Sequence, residues 1–192
     1  MAGFDIVDLQ KKQYKFSVAK PSDISDLVHL VNSAYRGESS RAGWTTEADL
    51  LGGQRIDAEG LMQVLTQSQK VILCLRSRLI GETGSTQLLA CVELTSLDES
   101  AVLLGMLSVA PEHQNQGFGA KLISHAESFA LETFGASVMA MKVISVRSEL
   151  IAYYERKGYV VQQKYEPFPY GNERFGIPKR NDLQFVLLEK TL

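Results

Sequence analysis

Cysteine is scarce in this chain, and so is any excess of charge of one sign. Cys74 and Cys91 are the only two cysteines, each inside an apolar strand-like run, Val71 to Leu75 and Leu88 to Leu94. Packing of a small buried thiol is the expected role, because neither has a His or a helix start beside it to activate a nucleophile. The 20 basic residues nearly cancel the 22 acidic ones, leaving a net charge of -2. That balance provides no broad cationic field for phosphate backbones, so nucleic acid is not an expected partner. No apolar run is long enough to cross a bilayer, and the residues after Met1 lack the basic, apolar and cleavage regions of a secretory signal. A membrane partner is therefore not expected, and the cytoplasm is the expected compartment. No spacing of His, Cys and carboxylates matches a metal site. His29, His113 and His125 are expected at exposed helix or loop positions. Repeats, low-complexity tracts and linkers are lacking too, so one domain over 14–192 is expected behind a short leader, 1–13.

What is present is regular patterning. Phe16 to Ala19 is predicted as a first strand, and Pro21-Ser22-Asp23 starts a helix running to about Tyr35. Ile24, Leu27, Val28, Val31, Ala34 and Tyr35 share its inner stripe. Arg36 to Gly43 is polar and reads as a loop, whereas Thr46-Glu47-Ala48-Asp49 has the spacing of a capping-box helix start. Asp57 caps another helix, with Leu61, Val64 and Leu65 inward. Three strands follow, Val71 to Arg76, Gln87 to Thr95 and Ala101 to Val109. Their short polar connectors, Gly81 to Ser85 and Ser96 to Ser100, predict an antiparallel meander. Alternation along the second strand puts Leu88, Ala90, Val92 and Leu94 on one face and Cys91, Glu93 and Thr95 on the other. A helix from Gly117 to about Phe134, a strand over Val138 to Ile144 and a helix from Ser148 to Lys157 come next. Gly158 ends that helix, and strands over Tyr159 to Gln163 and Leu183 to Leu188 close the chain. The expected fold class is mixed α/β (α+β), with a mostly antiparallel central sheet flanked by helices.

One stretch carries chemistry. Leu107-Ser108-Val109 ends a strand, and Gln114-Asn115-Gln116-Gly117-Phe118-Gly119-Ala120-Lys121 turns into a helix. Gly117 and Gly119 remove Cβ atoms where backbone must approach a ligand, so the N–H groups of the first helical turn are free to meet phosphate oxygens. A Walker A loop is excluded, because Gly119 is followed by Ala120-Lys121-Leu122 rather than by Lys and a hydroxyl residue. A dinucleotide fingerprint is excluded as well, because Leu122 stands where its third Gly belongs.

The remaining pattern, Gln-x-x-Gly-x-Gly after a strand ending in Val-x-Pro, resembles the GNAT superfamily of acetyl-CoA dependent N-acetyltransferases. Leu150-Ile151-Ala152-Tyr153-Tyr154-Glu155-Arg156-Lys157-Gly158-Tyr159 matches a second motif of that superfamily. The resemblance implies splayed strands that form an acyl-CoA cleft, acetyl-CoA as cosubstrate, and transfer of acetyl to a primary amine of a small molecule or peptide through a tetrahedral intermediate. It implies Tyr154 as the acid that protonates the departing sulfur. Its cofactor contacts would come from Leu107, Ser108, Val109, Gln114, Asn115, Gln116, Gly117, Phe118, Gly119, Ala120 and Lys121. Two departures stand out. Gln114, Asn115 and Gln116 are uncharged where such loops commonly carry Arg or Lys, which leaves neutralisation to N–H groups, the helix dipole and Lys121. Arg147 replaces a common Asn at the second helix and is expected beside the cofactor or an acceptor carboxylate.

Strand alternation makes Glu93 the expected general base, with Glu47 and Glu149 behind it, and the Leu107 N–H the expected oxyanion donor. The acceptor pocket is expected from the segments Arg36 to Leu51 and Glu166 to Asp182. Trp44, Phe168, Tyr170 and Phe175 beside Arg41 and Arg174 point to an amine with an apolar or carboxylate group. The protein is expected to act as a monomer or homodimer. A non-catalytic acyl-CoA sensor is the alternative reading, separated from the enzyme by turnover.

Overall fold

The computed structural model describes residues 6–7, 12–79 and 86–192. In chain order the elements are β1 (Ile6–Val7), β2 (Lys12–Val18), α1 (Ile24–Tyr35), the single turn α2 (Gly37–Ser40), β3 (Leu51–Gly52), α3 (Ala58–Thr66), β4 (Lys70–Leu79) and β5 (Gln87–Ser96). Then come β6 (Ala101–Val109), α4 (Phe118–Phe129) with a π-type extension over Ala130–Phe134, β7 (Val138–Ile144), α5 (Ser148–Glu155), β8 (Val160–Pro167), β9 (Ile177–Pro178) and β10 (Gln184–Thr191). Among the described residues, eight strands form one sheet in the order β1-β2-β4-β5-β6-β7-β10-β8, and β3 pairs with β9 apart from it. Every neighbouring pair in the large sheet is antiparallel except β6 with β7. The mixed, mostly antiparallel sheet expected from the sequence is therefore present.

Both faces of the sheet are covered because the helices are amphipathic. Leu27, Leu30 and Val31 of α1 and Leu61 of α3 pack with Ile72, Cys74, Cys91 and Met106 on one face. Phe118, Leu122, Ile123 and Ala126 of α4 pack with Leu73, Leu75, Val92 and Leu104 on the other, joined by Tyr154 of α5. Each fully buried Leu or Ile contributes roughly 1.5–3 kcal/mol of transfer free energy, so the two layers hold the sheet between them. Both cysteines lie in this interior, and burial pushes the Cys74 thiol up to about 12 and raises that of Cys91 further. Neither is available as a thiolate, as the sequence predicted.

A bulge in β6 positions the site. Cys91 pairs with Ser108 and Glu93 with Gly105, so two steps on β5 oppose three on β6. Met106 takes up the extra length at φ 51. Such bulges turn a strand away from its neighbour. Pairing of β6 with β7 accordingly ends at Leu104 opposite Met141, and the outer halves of the two strands diverge.

Several local expectations are corrected. Thr46 starts a turn, not a helix: its hydroxyl accepts from the Ala48 N–H at 3.0 Å, and Leu51–Gly52 pairs with β9 instead of extending a helix. Asp49, the carboxylate of the expected capping box, pairs with Arg41 at 2.6 Å instead. The predicted loop after Arg36 contains α2. Leu88 lies on the Cys91 face rather than with Ala90, because a bulge between Leu75/Arg76 and Ala90/Leu88 puts Leu89 in the core instead. Part of the expected leader joins the sheet, since Ile6–Val7 pairs with Gln13 and Tyr14, while its residues 1–5 and 8–11 lie outside the described residues. The Gly81 to Ser85 connector lies outside them as well. His113 and His125 are half-buried rather than exposed; His125 stacks on Phe16 at 4.0 Å.

Candidate active site

The divergence of β6 and β7 opens two cavities that meet. One, of about 380 Å³, lies along the Gly-rich loop and is lined by Gln114, Asn115, Gly117, Phe118, Gly119 and Ala120 together with Val109, Trp44 and Tyr153. The other, of about 430 Å³, lies between the diverging strands and is lined by Leu103 to Leu107 and Met141 to Ile144, with Arg36, Glu47, Arg55, Phe168, Phe175 and Phe185. Tyr35, Leu107, Arg147, Leu150 and Tyr154 line both, so these five residues form the junction.

The loop cavity is built by backbone. Gly117 caps α4 at φ 80, and a Cβ there would enter open space. Asn115, also left-handed at φ 60, is a residue type that tolerates that conformation. The first α4 bond runs from the Lys121 N–H to the Gly117 carbonyl, so the N–H groups ahead of Lys121 have no partner within the helix. The positive end of the helix dipole points the same way.

Side chains supply the rest of the charge, and of those expected Arg147 lines the cavity whereas Lys121 does not. Lys121 lies over the rings of Tyr14 and Phe118 at 5.6 and 5.5 Å and does not line the cavity. Arg156 and Lys157 at the end of α5 do, with Arg147, and among the described residues no carboxylate lines it. The signal was present in the second motif: Arg156 and Lys157 stand three and four residues after Tyr153, on one helical face. Gln114 lines the cavity and also anchors the loop. Its amide donates to the Val109 carbonyl at 3.2 Å, and its oxygen accepts from the Trp44 N–H at 2.9 Å. Gln116 bonds back to the Glu112 carbonyl at 3.2 Å, outside the cavity lining. The Ser108 side chain is fully buried on the far face of β6, donating to the Met106 carbonyl.

The open edge of β6 is set by alternation. The Ala110 N–H bonds to Leu89 of β5, so residues of that parity, Ser108 included, face β5. Leu107 and Val109 direct their N–H and C=O groups the other way, into the divergence. Their carbonyls are already engaged, Leu107 by the Tyr35 hydroxyl at 3.0 Å and Val109 by Gln114.

Tyr154 sits at the junction, 6% exposed, in edge contact with Tyr153 and Tyr159. Among the described residues none hydrogen-bonds its hydroxyl. Burial raises its pKa far above the phenol range, Tyr35 and Glu47 add to the rise, and Arg147 opposes it. Burial likewise pushes Tyr35 from 10.0 up to about 12. For such groups the stability contribution is fully present below the unfolded value and is lost as pH rises toward the folded one. Unfolding by urea is therefore expected to become easier above about pH 10, by roughly 1.4 kcal/mol per pH unit for each buried tyrosine. Tyr35→Phe should make the decline shallower, and an unchanged midpoint between about pH 9 and 11.5 would contradict it.

The junction is braced by a buried ion cluster. Glu47, 7% exposed, accepts from Arg36 at 2.5 Å through one oxygen and from Arg147 at 2.7 Å through the other. Arg147 also donates to the Thr45 hydroxyl at 2.6 Å, and Arg36 to the Phe175 carbonyl at 3.3 Å. The segment after α1, the start of α5 and the loop after β8 are thus tied together. The structure does not bring Glu93 to this place: it pairs with Lys70 at 3.0 Å, accepts from Thr95 and lines neither cavity. Glu149 is exposed and lines neither cavity. Arg41 is held on the surface by Asp49 and Glu38, Trp44 lines the loop cavity, and the Arg174 side chain lies outside the described residues.

Comparison with known proteins agrees with this architecture. Residues 74–161 match the family described as acetyltransferase (GNAT) domain. No curated protein sequence matches the chain. Among solved structures, the ribosomal-protein-S18-alanine N-acetyltransferase of Escherichia coli is similar at a TM-score of 0.62 and 15% identity, over 93% of each chain. A spermidine N-acetyltransferase of Vibrio cholerae, solved as a point mutant, gives 0.64 and 13%, also over 93% of each. YncA of Salmonella typhimurium, solved with its cofactor acetyl-CoA, gives 0.63 and 18%, over 93% of this chain and 94% of its own. At these identities the likeness is one of fold. Residues 74–161 thus resemble a GNAT acetyltransferase domain, and the fold around them is the one those acetyltransferases share.

Proposed function

We propose that the protein transfers an acetyl group from acetyl-CoA to a primary amine, with Tyr154 as the acid. The observation that carries this reading is the junction: a carboxylate-free cavity with a backbone phosphate cradle meets a second cavity at Tyr154 and Leu107. The donor set fits coenzyme A. First-turn N–H groups, Arg156 and Lys157 suit a diphosphate, and the N–H of Val109 suits an amide carbonyl of a pantetheine arm laid along the strand edge.

With the thioester at the junction, the Leu107 N–H faces the carbonyl oxygen and stabilises the charge that develops there. The amine nitrogen enters from the other cavity and bonds to the carbonyl carbon, and the C–S bond of the resulting tetrahedral intermediate then breaks as the carbonyl re-forms. Tyr154 gives its proton to the sulfur. The nitrogen releases one proton, which returns to the Tyr154 oxygen through cavity water. Each carboxylate lining the acceptor cavity is already paired, Glu47 with two arginines and Glu166 with Lys142. The amine therefore arrives as its neutral form, which a cationic lining favours.

Calorimetry is expected to show acetyl-CoA binding, and ligand at about 100 times Kd should stabilise the fold by about 2.7 kcal/mol. Free thiol should appear only when an amine is added. The Arg156→Ala, Lys157→Ala double variant should bind about tenfold or more weakly, with a smaller salt dependence. Absence of heat at millimolar acetyl-CoA overturns the reading, and binding without thiol release from any amine makes the protein a sensor instead.

A further inference from the structure

The acceptor cavity carries more positive charge than its own carboxylates balance. Arg36, Arg55, Lys142 and Arg147 line it against Glu47 and Glu166, four cations to two anions. Glu166 is taken by Lys142 at 2.7 Å, and Glu47 is shared by Arg36 and Arg147. Arg55 is left over. Among the described residues its guanidinium meets no carboxylate, only the face of the Tyr35 ring, 5.6 Å from the centroid.

Arg55 is also held in place. Asn32 of α1 accepts from the backbone N–H of Arg55 at 2.6 Å and of Ile56 at 3.4 Å, and its amide donates to the Ile56 carbonyl at 2.8 Å. The same Asn32 amide bonds the Val28 carbonyl at 2.9 Å, so the segment bearing Arg55 is fastened to the helix that carries Tyr35. A half-buried guanidinium that lies over one aromatic ring and extends from an anchored stretch of backbone loses less freedom on meeting a planar anion than one on a free loop. Phe168, Phe175 and Phe185 line the same cavity and suit an apolar body.

We propose that the acceptor is an amine with an apolar body and a carboxylate, and that the carboxylate pairs with Arg55. This rests on the acetyl-transfer reading above. A polyamine is disfavoured by the same lining, because a second cation would meet two unbalanced positive charges.

Thiol release from acetyl-CoA tests it, with phenylalanine, leucine and β-alanine each compared with its own carboxamide, and with spermidine. The carboxamides have less basic amines and so a larger neutral fraction, which makes amine ionisation alone favour them. The expected result is the reverse, kcat/KM about ten- to hundredfold higher for the acids. Arg55→Ala should collapse that ratio to about threefold or less through KM, and Arg55→Lys should keep part of it. Calorimetry with the same probes on the protein loaded with coenzyme A gives a readout independent of turnover. Equal or better use of carboxamides or spermidine, an equal fall in kcat for acids and amides in Arg55→Ala, or no binding by any carboxylated probe would overturn it. Acetyl-CoA binding with thiol release from any amine shows that the acetyl-transfer reading survives such a failure, whereas no acetyl-CoA binding removes both.

Discussion

Replacing Tyr154 with phenylalanine is expected to lower kcat about a hundred- to a thousandfold, within the range of a positioned general acid. That loss corresponds to roughly 3–4 kcal/mol of transition-state free energy. The ring stays packed against Tyr153 and Tyr159, and the hydroxyl has no hydrogen-bond partner among the described residues, so folding should be little affected. From ordinary values, phenol to thiolate transfer is uphill by roughly 2 kcal/mol. A local downward shift of the tyrosine is one way to close that gap, but burial moves Tyr154 upward instead. The compensation lies on the other partner. A thiolate formed at the same dry junction is also desolvated, which raises its own proton affinity, and Arg147 steadies whichever anion is present. Because the acid keeps its proton far into the alkaline range, kcat/KM should rise with the neutral fraction of the amine and show no basic decline below about pH 10. The rising limb should persist in the phenylalanine variant. Retention of more than about a third of kcat would assign proton delivery to another group or to water.

How much of this was legible in the sequence depended on whether the signal was local. The strands Ala101–Val109 and Val138–Ile144 have the predicted bounds, and Asp57 caps α3 by accepting from the Gly60 N–H at 2.7 Å. Capping, alternation and glycine turns are written within a few residues. The bulge at Met106 is not, because it is a mismatch between two strands, and it decides where the sheet opens. The same cause misplaced Leu88. Charge in the site was misread for a related reason: Lys121 is close to the loop in sequence but turns onto Tyr14, whereas Arg156 and Lys157 arrive from another helix. Glu93 alternates onto a face as predicted, yet that position puts it beside Lys70 rather than in the cleft. Arg55 has no local signature at all; only the fold places it over Tyr35.

Glu47 reads from the sequence only as a base candidate behind Glu93, and its role in a buried ion cluster is one that only tertiary structure reveals. Glu47→Ala is expected to destabilise the protein by about 3–5 kcal/mol, because it leaves Arg36 and Arg147 buried without their shared anion. Arg36 and Glu47 have side chains only 5% and 9% exposed, so solvent cannot replace the lost partner without opening the structure. The buried Nε of Arg36 already lacks an acceptor, and its other contacts, the Phe175 and Tyr35 carbonyls at 3.3 and 3.4 Å, carry no charge to replace the carboxylate. Functional loss should accompany the destabilisation. Arg147 stands at the start of α5, the helix that carries Tyr154, and Arg36 holds the Phe175 carbonyl at the rim of the acceptor cavity. Releasing both loosens the acid and the pocket together, so kcat and KM should worsen in the same variant at temperatures where it remains folded. A merely crowded site behaves differently from an ionic brace in a double variant. Arg36→Met with Glu47→Leu should be less destabilising than Glu47→Leu alone, because one of the stranded charges is then removed. Urea unfolding with an unchanged slope measures both, and a midpoint for Glu47→Ala within about 1 kcal/mol of the parent would show that the cluster contributes no more than an exposed pair.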